Sequence, residues 1–266
     1  CAIGGSVIMR RDLIGSLAAI AVIYGIAITA VAYIAPKTKV KPVATAQSTK
    51  ANQKPMSDAD FAKFEKWQRD KALPALGLTI GDPVTATPNG SRLGGPAWLA
   101  DGETWPMGSD RKPLVFLAQI DFATMPRLPD YPERGVLQFF IGRDDLYGAE
   151  FDRPLSGDFR VIWRESIQGP GRMHEQQPLA QGKQEDYSPL SAQMLTQGRA
   201  LNAKRSTQKP NSTSWFFERD LPGLLEQDGM DRIYVLESEQ METRGFYSHI
   251  GWHPEFTQSE FRTADA

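Results

Sequence analysis

Two histidines near the carboxyl end have the spacing that most readily suggests chemistry. His249 and His253 are four residues apart, which on a helix would place both side chains on one face, as in zinc sites. Gly251 and Pro254 favour a turn instead of a helix, and no third ligand follows at a metal-site spacing. We therefore predict no metal site and expect His249 to form hydrogen bonds within a turn.

Acidic residues offer a second kind of chemistry. Asp144 and Asp145 follow an apolar run and could form a carboxylate pair for acid–base catalysis. A pair in this position more often marks a solvated turn with local backbone hydrogen bonds. The run that starts at His174 lacks the second histidine of a zinc-protease helix, and the single cysteine is Cys1. We predict no catalytic residue and no cofactor.

The composition is that of an ordinary globular protein. The chain has 266 residues, of which 41% are hydrophobic and 23% charged, and its formal net charge is -2. This charge gives no electrostatic reason to expect nucleic acid as a partner. Nucleic-acid binding is therefore excluded from the predicted functions.

An apolar run near the amino terminus predicts attachment to a membrane. Residues 13–35 carry no charge, and a helix of that length spans a hydrocarbon core of about 30 Å. The run is longer than the apolar region of a secretory signal peptide, so we expect an uncleaved transmembrane helix. Residues 1–12 form its head, and residues 36–56, polar and without hydrophobic periodicity, form a flexible tether. The membrane is thus one predicted partner.

The start of the chain and the side of the membrane have alternative interpretations. Met9 resembles a natural start, so residues 1–8 are either upstream translation or the head of a lipoprotein acylated at Cys1. Lysines after the apolar run outnumber the arginines before it, which favours a cytoplasmic domain. A short Met-Arg-Arg head is instead typical of a signal anchor that exports the domain on its carboxyl side. We take the extracytoplasmic side as the working expectation.

The rest of the chain predicts an α+β architecture. Residues 57–76 form a helix, with Ser57 and Asp60 as a capping pair and an aromatic stripe on one face. Within residues 77–266, β-branched and aromatic runs separated by Pro, Gly, Asp and Asn clusters predict strands at 114–120, 135–142, 159–165 and 232–238. Two weaker helical patches lie near 189–204 and 220–227. Strands and helices do not alternate strictly, so we predict a β-rich mixed domain rather than a doubly wound sheet.

Two segments of this domain share one pattern. The run from Ser91 reads SRLGGPAWLADGETWP, and the run from Ser248 reads SHIGWHPEF. Each contains a small polar residue, a basic or imidazole side chain, an aliphatic residue and a glycine in the same order. The pattern predicts an internal duplication.

The first of these segments and the strands after it resemble the YwqG family, also called DUF1963. The resemblance covers about residues 77–262 and includes a GGPAW turn, a Trp-Pro pair, an LAQI strand and a G-x-L-x-FF strand. It is carried by these residues: Gly94, Gly95, Pro96, Trp98, Trp105, Pro106, Leu117, Ala118, Gln119, Ile120, Gly135, Leu137, Phe139 and Phe140. Because the family has no established general activity, the resemblance implies a fold and boundaries rather than chemistry.

A second family motif resembles the segment that contains His249, Gly251, Pro254 and Phe256-Thr257-Gln258. Trp252 and His253 stand where the family usually has Gly and Tyr. Similar proteins continue past this motif into further strands, so the resemblance implies an incomplete second repeat in this chain. We expect its end, residues 245–266, to be poorly packed.

The glycine turns have a structural and a functional interpretation. Gly94, Gly95 and Pro96, and later Gly251 and Pro254, could form tight corners that need positive φ or close backbone approach. The first turn could instead line a ligand groove beside tryptophan faces. We favour the structural turn. If a ligand binds, we expect it in a cleft between the repeats, at these residues: Trp98, Trp105, Gln119 and His249.

Three functions remain open from the sequence. The favoured one is a membrane-tethered, non-catalytic module that binds a protein or a small ligand, because no catalytic constellation assembles. The alternative is a hydrolase-type enzyme that uses His249 with Asp121 or Asp144, which requires these side chains to converge. The third is a gene fragment without function.

Overall fold

A computed structural model describes residues 56–149, 157–167, 169–179, 186–214, 216–224, 230–244 and 248–251. Within these residues no helix combines the length and the apolar character needed to cross a membrane. The predicted head, transmembrane helix 13–35 and tether lie outside the described residues, apart from Met56. So do His253, Pro254 and the last fifteen residues of the predicted poorly packed end, 252–266.

The chain divides into two compact units. The first contains Leu78–Lys204, and the second contains the described residues up to Gly77 together with those from Arg205 onward. Strands β1 (Leu73–Pro83) and β8 (Arg199–Gln208) each have residues in both units. Strands and helices are numbered in chain order.

Antiparallel strands dominate the first unit. Besides β1 and β8, its strands are β2 (Arg92–Leu93), β3 (Ala97–Ala100), β4 (Val115–Asp121), β5 (Val136–Ile141), β6 (Phe159–Arg164) and β7 (Gly171–His174). The main sheet runs in the order β6-β5-β4-β2-β8-β1, and β3 pairs with β7 in a second, two-stranded sheet. Strand β2 pairs with both β4 and β8 although it has only two residues. The prediction of a β-rich α+β domain is confirmed at this level.

Strands β4 and β5 form the buried centre of this unit. Every residue of β4 is buried, as are all but one in β5, because apolar side chains stand on both faces. Phe116 on β4 and Phe140 on β5 are paired in the register and pack with Leu114 and Ala97 in one apolar cluster. The predicted strands at 114–120, 135–142 and 159–165 correspond to β4, β5 and β6.

Two strands of the first unit were not predicted. The patch predicted as helical at 189–204 contains helix α2 (Ala192–Thr196), capped by Ser191, but strand β8 begins within it at Arg199. Strand β7 lies in a segment predicted to be an exposed loop. Neither β7 nor β8 shows a regular alternation of apolar and polar residues, because most of their residues are half-buried. These strands are therefore defined by their pairing with other strands and not by a sequence pattern.

Helices dominate the second unit. Helix α1 (Asp58–Asp70) begins at the predicted cap, where the Ser57 hydroxyl accepts a hydrogen bond from the Asp60 amide at 3.1 Å. The helix ends before residue 76, because Pro74 opposes a helical conformation and Leu73 already begins β1. The aromatic stripe of α1 packs in a cluster with Phe216, Phe217 and Ile233. This confirms the packing interpretation of the stripe.

The predicted strand at 232–238 is wrong. These residues lie in helix α4 (Met230–Arg244), which accompanies the short helix α3 (Phe217–Asp220) and strand β9 (Ser248–Ile250) in this unit. Ile233 is buried, Leu236 packs against the same cluster, and Tyr234 and Val235 are exposed. The three-residue spacing of the inward side chains is that of a helix, and it outweighs the β-branched composition.

Candidate functional site

In the double-glycine turn between β2 and β3, the backbone lies close to that of the segment between α2 and β8. Gly94 and Gly95 have φ values of 70° and 74°. A Cβ atom on Gly94 would lie 2.1 Å from the carbonyl oxygen of Met194, and one on Gly95 would lie 2.7 Å from the Gly198 amide nitrogen. The Gly95 amide also donates to the Met194 carbonyl at 2.8 Å. Both glycines are therefore required by the packing of the segment that joins α2 to β8.

Gln119 belongs to a buried polar network on the central strands. It is paired in the register with Gln138 on β5, and neither side chain is exposed to solvent. Gln138 Nε2 donates to Gln119 Oε1 and to the Trp98 carbonyl oxygen, both at 3.1 Å. Gln119 Nε2 donates in turn to the carbonyl oxygens of Pro88 and Gly90, both at 2.9 Å. The network thus fixes the loop before β2 to the middle of the sheet.

Arg164 extends this network to Trp98. Its Nε donates to Gln138 Oε1 at 2.9 Å, and its two terminal nitrogens donate to Glu103 at 3.0 and 2.7 Å. The guanidinium carbon lies 4.9 Å from the centroid of the Trp98 ring. The hydrogen bonds from Arg164 are the main reason that the pKa of Glu103 lies below its ordinary value. This chain's own arginine therefore stacks on Trp98.

Trp105 is held on the apolar cluster beneath β4. Its ring meets that of Phe140 edge to face, with centroids 5.5 Å apart. Its indole nitrogen donates to the carbonyl oxygen of Leu114 at 2.8 Å. The structure thus connects Trp98 and Gln119 through Gln138 and places Trp105 in a separate aromatic contact.

His249, the fourth predicted ligand-binding residue, lies in the second unit, on β9. Its side chain is buried, and it is followed by Ile250 and by Gly251, whose φ is 71°. Gly251 therefore has the left-handed backbone conformation that favours glycine. Pro254 lies outside the described residues.

Both aspartates of the hydrolase alternative accept hydrogen bonds from backbone amides. Asp121 is buried and accepts hydrogen bonds from the amides of Gly90 and Ala123, at 2.9 and 3.0 Å. Asp144 accepts from the amides of Leu146 and Gly148, at 2.8 and 2.9 Å. Local backbone hydrogen bonds at Asp144 were predicted from the sequence, and they are confirmed.

A polar pocket of about 390 Å³ lies in the first unit beside this Asp144 turn. Two of its lining residues form an ion-pair triad with the buried Asp186, which accepts from Arg143 at 3.2 Å and from Lys112 at 2.9 Å. Arg143 also donates to the carbonyl oxygens of Pro113, Gln177 and Pro178. Arg143 and Asp186 are both buried, and the positive charges of Arg143 and Lys112 are already shared with Asp186.

Carboxylates form the rim of the pocket. Two of them are constrained, since Asp158 accepts from the amide and hydroxyl of Ser109 and Asp144 accepts from its own turn. The aromatic ring of Tyr187 also lines the pocket and is 44% exposed. The full lining consists of Asp110, Lys112, Pro113, Leu114, Gly142, Arg143, Asp144, Asp145, Asp158 and Tyr187.

The residues that line the pocket carry an excess of negative charge. Four aspartates line it, and its two cationic residues share Asp186, so the local excess is negative. Among the residues that the structure describes, no group of three or more His, Cys, Asp or Glu side chains could hold a metal ion. Sequence reasoning singled out only Asp144 and Asp145 here, because residues 110, 158 and 187 are distant along the chain and share no motif.

The antiparallel main sheet, the small second sheet and the few short helices define a β-rich α+β domain. Residues 91–266 match the model of a family described as a domain of unknown function, DUF1963. The chain belongs to this family, as the ordered turn and strand motifs indicated. No curated protein sequence matches the chain.

Proposed function

We propose that this chain is a membrane-tethered, non-catalytic binding module that holds a small, positively charged ligand group in the pocket beside Asp144. The single observation that carries this proposal is a concavity of about 390 Å³, lined by four carboxylates and by Tyr187. Its volume lies in the range of about 300–1,000 Å³ usual for small-molecule sites.

The contacts of the pocket favour binding over catalysis. The carboxylates of Asp144 and Asp158 already accept backbone hydrogen bonds, which fix their positions. A general acid or base needs a side chain free to exchange a proton with substrate. Fixed anions beside an aromatic ring instead match an ammonium or guanidinium group.

Attachment to the membrane is the second part of the proposal. The uncharged run of residues 13–35 acts as the anchor, and the polar segment 36–56 gives the domain reach on the extracytoplasmic side. Alkaline extraction of membranes tests the anchor, because an integral protein stays in the pellet. External protease added to intact cells tests the side, because only an exported domain is degraded.

The internal duplication is proposed together with this function. Three positions of the two SRLGG-like segments agree in the structure: Arg92 and His249 are both 2% exposed, the next residue of each is buried, and Gly94 and Gly251 have φ values of 70° and 71°. Each segment is also a short strand that ends in a left-handed glycine. These similarities support a common ancestral turn with a buried basic or imidazole side chain.

Saturation-transfer NMR on the full chain in detergent tests the ligand class. The probes are arginine amide and citrulline amide, which have nearly the same shape but differ in the charge of the side chain. We expect arginine amide to bind and citrulline amide to bind more weakly, by up to about fivefold, since a close exposed charge pair contributes up to about 1 kcal/mol. Equal binding of both probes, or no binding of either, overturns the proposal.

Two variants test whether arginine amide binds in this pocket. Asp145 is exposed, and Asp145→Asn keeps its shape while removing one rim charge. We expect this variant to bind arginine amide a few-fold more weakly. The matched control is Asp101→Asn, an exposed aspartate of the same unit that does not line the pocket, and it should bind as the unaltered chain does.

A further inference from the structure

Asn89 and Gly90 form an Asn-Gly dipeptide, which is prone to deamidation and lies outside the proposed binding pocket. An asparagine followed by glycine is the sequence most open to attack of the following amide nitrogen on the side-chain carbonyl, because glycine has no Cβ to obstruct the approach. Asn89 is exposed at the tip of the loop that precedes β2. Its side-chain amide is therefore accessible to water.

The backbone on both sides of Asn89 is held by buried side chains from β4. The Gly90 amide donates to Asp121 Oδ2 at 2.9 Å. Gln119 Nε2 donates to the carbonyl oxygens of Pro88 and Gly90, both at 2.9 Å. Gln119 and Asp121 are at most 4% exposed, so these contacts are shielded from competing water.

The Gly90 amide nitrogen is the atom that would react. To attack, it must lose its proton, and the peptide plane must turn toward the side chain of Asn89. A carboxylate that accepts the N–H hydrogen bond stabilises the protonated amide and opposes a negative charge on the nitrogen. The two bonds from Gln119 oppose rotation of the same peptide units.

We propose that Asn89 is a deamidation site that the hydrogen bond from the Gly90 amide to Asp121 protects in the folded protein. Asn89 then reacts only when the loop before β2 separates from β4. In the reaction, a bond forms between the Gly90 nitrogen and Asn89 Cγ, and the bond from Cγ to Nδ2 breaks. The nitrogen's proton leaves with Nδ2 as ammonia. One water then opens the cyclic imide to aspartate or isoaspartate, and no oxidation or reduction occurs.

Deamidation of Asn89 would leave an irreversible change in the backbone of the loop that leads into the double-glycine turn. The isoaspartate product adds a methylene to the backbone directly before Gly90, one residue ahead of Ser91, whose hydroxyl accepts a hydrogen bond from the Asp121 amide at 2.9 Å. A longer backbone at that point disrupts the register of both the Ser91 and the Gly90 contacts. Reclosure of the loop on β4 is therefore opposed after the reaction.

The test measures deamidation of the full chain by peptide mass spectrometry after incubation in mildly alkaline buffer. We compare the folded chain, the chain in urea, Asp121→Ala and Asp121→Asn. The folded chain should react at least about tenfold more slowly than the urea-unfolded chain, because a charge-assisted hydrogen bond must first break. Asp121→Ala should raise the rate toward the unfolded value without reaching it, because the two bonds from Gln119 remain. Asp121→Asn, which keeps a neutral acceptor, should raise the rate less than Asp121→Ala.

Internal controls separate local protection from general unfolding. Asn202 and Asn211 in the same digest report whether a variant has lost its fold, and Asp101→Asn should leave the rate at Asn89 unchanged. If Asp121→Ala fails to fold, Asp121→Asn provides the comparison. Equal rates at Asn89 in the folded and unfolded chain overturn the proposal, as does an unchanged rate in a folded Asp121 variant.

Discussion

Gln138 donates a hydrogen bond to Gln119 across two adjacent strands in the most buried part of the first unit. Two amide side chains without solvent exposure are costly unless nearly all their hydrogen-bonding groups find partners. Here the carbonyl oxygens of Trp98, Pro88 and Gly90 and the guanidinium of Arg164 supply those partners. The strand pair therefore specifies where the surrounding loops attach.

Replacement of Gln138 by leucine should destabilise the domain. Gln138→Leu leaves Gln119 Oε1, the Trp98 carbonyl oxygen and Arg164 Nε without this partner in a buried site. We expect the free energy of unfolding to fall by about 2–4 kcal/mol in urea titrations. Gln193→Leu, at an exposed position of α2, is the control and should change it by no more than about 0.5 kcal/mol. Equal effects of the two substitutions would contradict the network.

The double-glycine turn makes a sharper prediction about packing. Gly94→Ala combines a left-handed φ with a Cβ position 2.1 Å from the Met194 carbonyl oxygen. The expected loss is about 3 kcal/mol or more. Gly102→Ala also has a positive φ, of 85°, but its Cβ would have no neighbour within 4 Å, so it should lose only about 1 kcal/mol. Thermal unfolding of the two variants measures the difference, and similar losses would refute the close approach.

The ion-pair triad of the pocket should be sensitive to removal of its shared anion. Asp186→Asn leaves the buried guanidinium of Arg143 without its carboxylate, and we expect a loss of about 3 kcal/mol or more. The exposed pair Arg127–Glu133 gives the matched comparison, because Glu133→Gln should lose less than about 1 kcal/mol. Denaturant midpoints report both values. A loss at Asp186→Asn as small as that at Glu133→Gln would show that the triad does not stabilise the domain.

Glu103 should contribute an acid-sensitive part of the stability. Its folded-state pKa lies below the ordinary value of 4.5, chiefly through the hydrogen bonds from Arg164. A carboxyl with a lowered pKa stabilises the fold above its unfolded pKa, and this contribution disappears as the pH falls through the folded pKa. Below about pH 4.5, stability should therefore fall more steeply with acidification in the unaltered chain than in Glu103→Gln. Parallel pH profiles of the two proteins would argue against the pair.

Local sequence patterns predicted an element correctly where the interactions that form it lie within one short segment of the chain. Ser57 and Asp60 define the start of α1 because an N-cap satisfies amides of its own first turn. The runs that became β4 and β5 are apolar except for one glutamine each, Gln119 and Gln138, and only a buried strand or helix accommodates such a run at that length. The same reasoning was wrong at residues 232–238, where contacts with the aromatic stripe of α1 favour a helix over the β propensity of Ile, Tyr and Val.

The amino-acid sequence by itself determined the family and the β-rich character of the domain, since these depend on the local order of turns and strands. Tertiary structure alone decided which buried polar groups meet, that Arg164 covers Trp98, and that Asp110, Asp158 and Tyr187 line one pocket. The physical reason is that such side chains have no fixed spacing along the chain. They come together only when the strands pair and the loops close over them, and the desolvated charges are then stable only where partners from distant segments meet them.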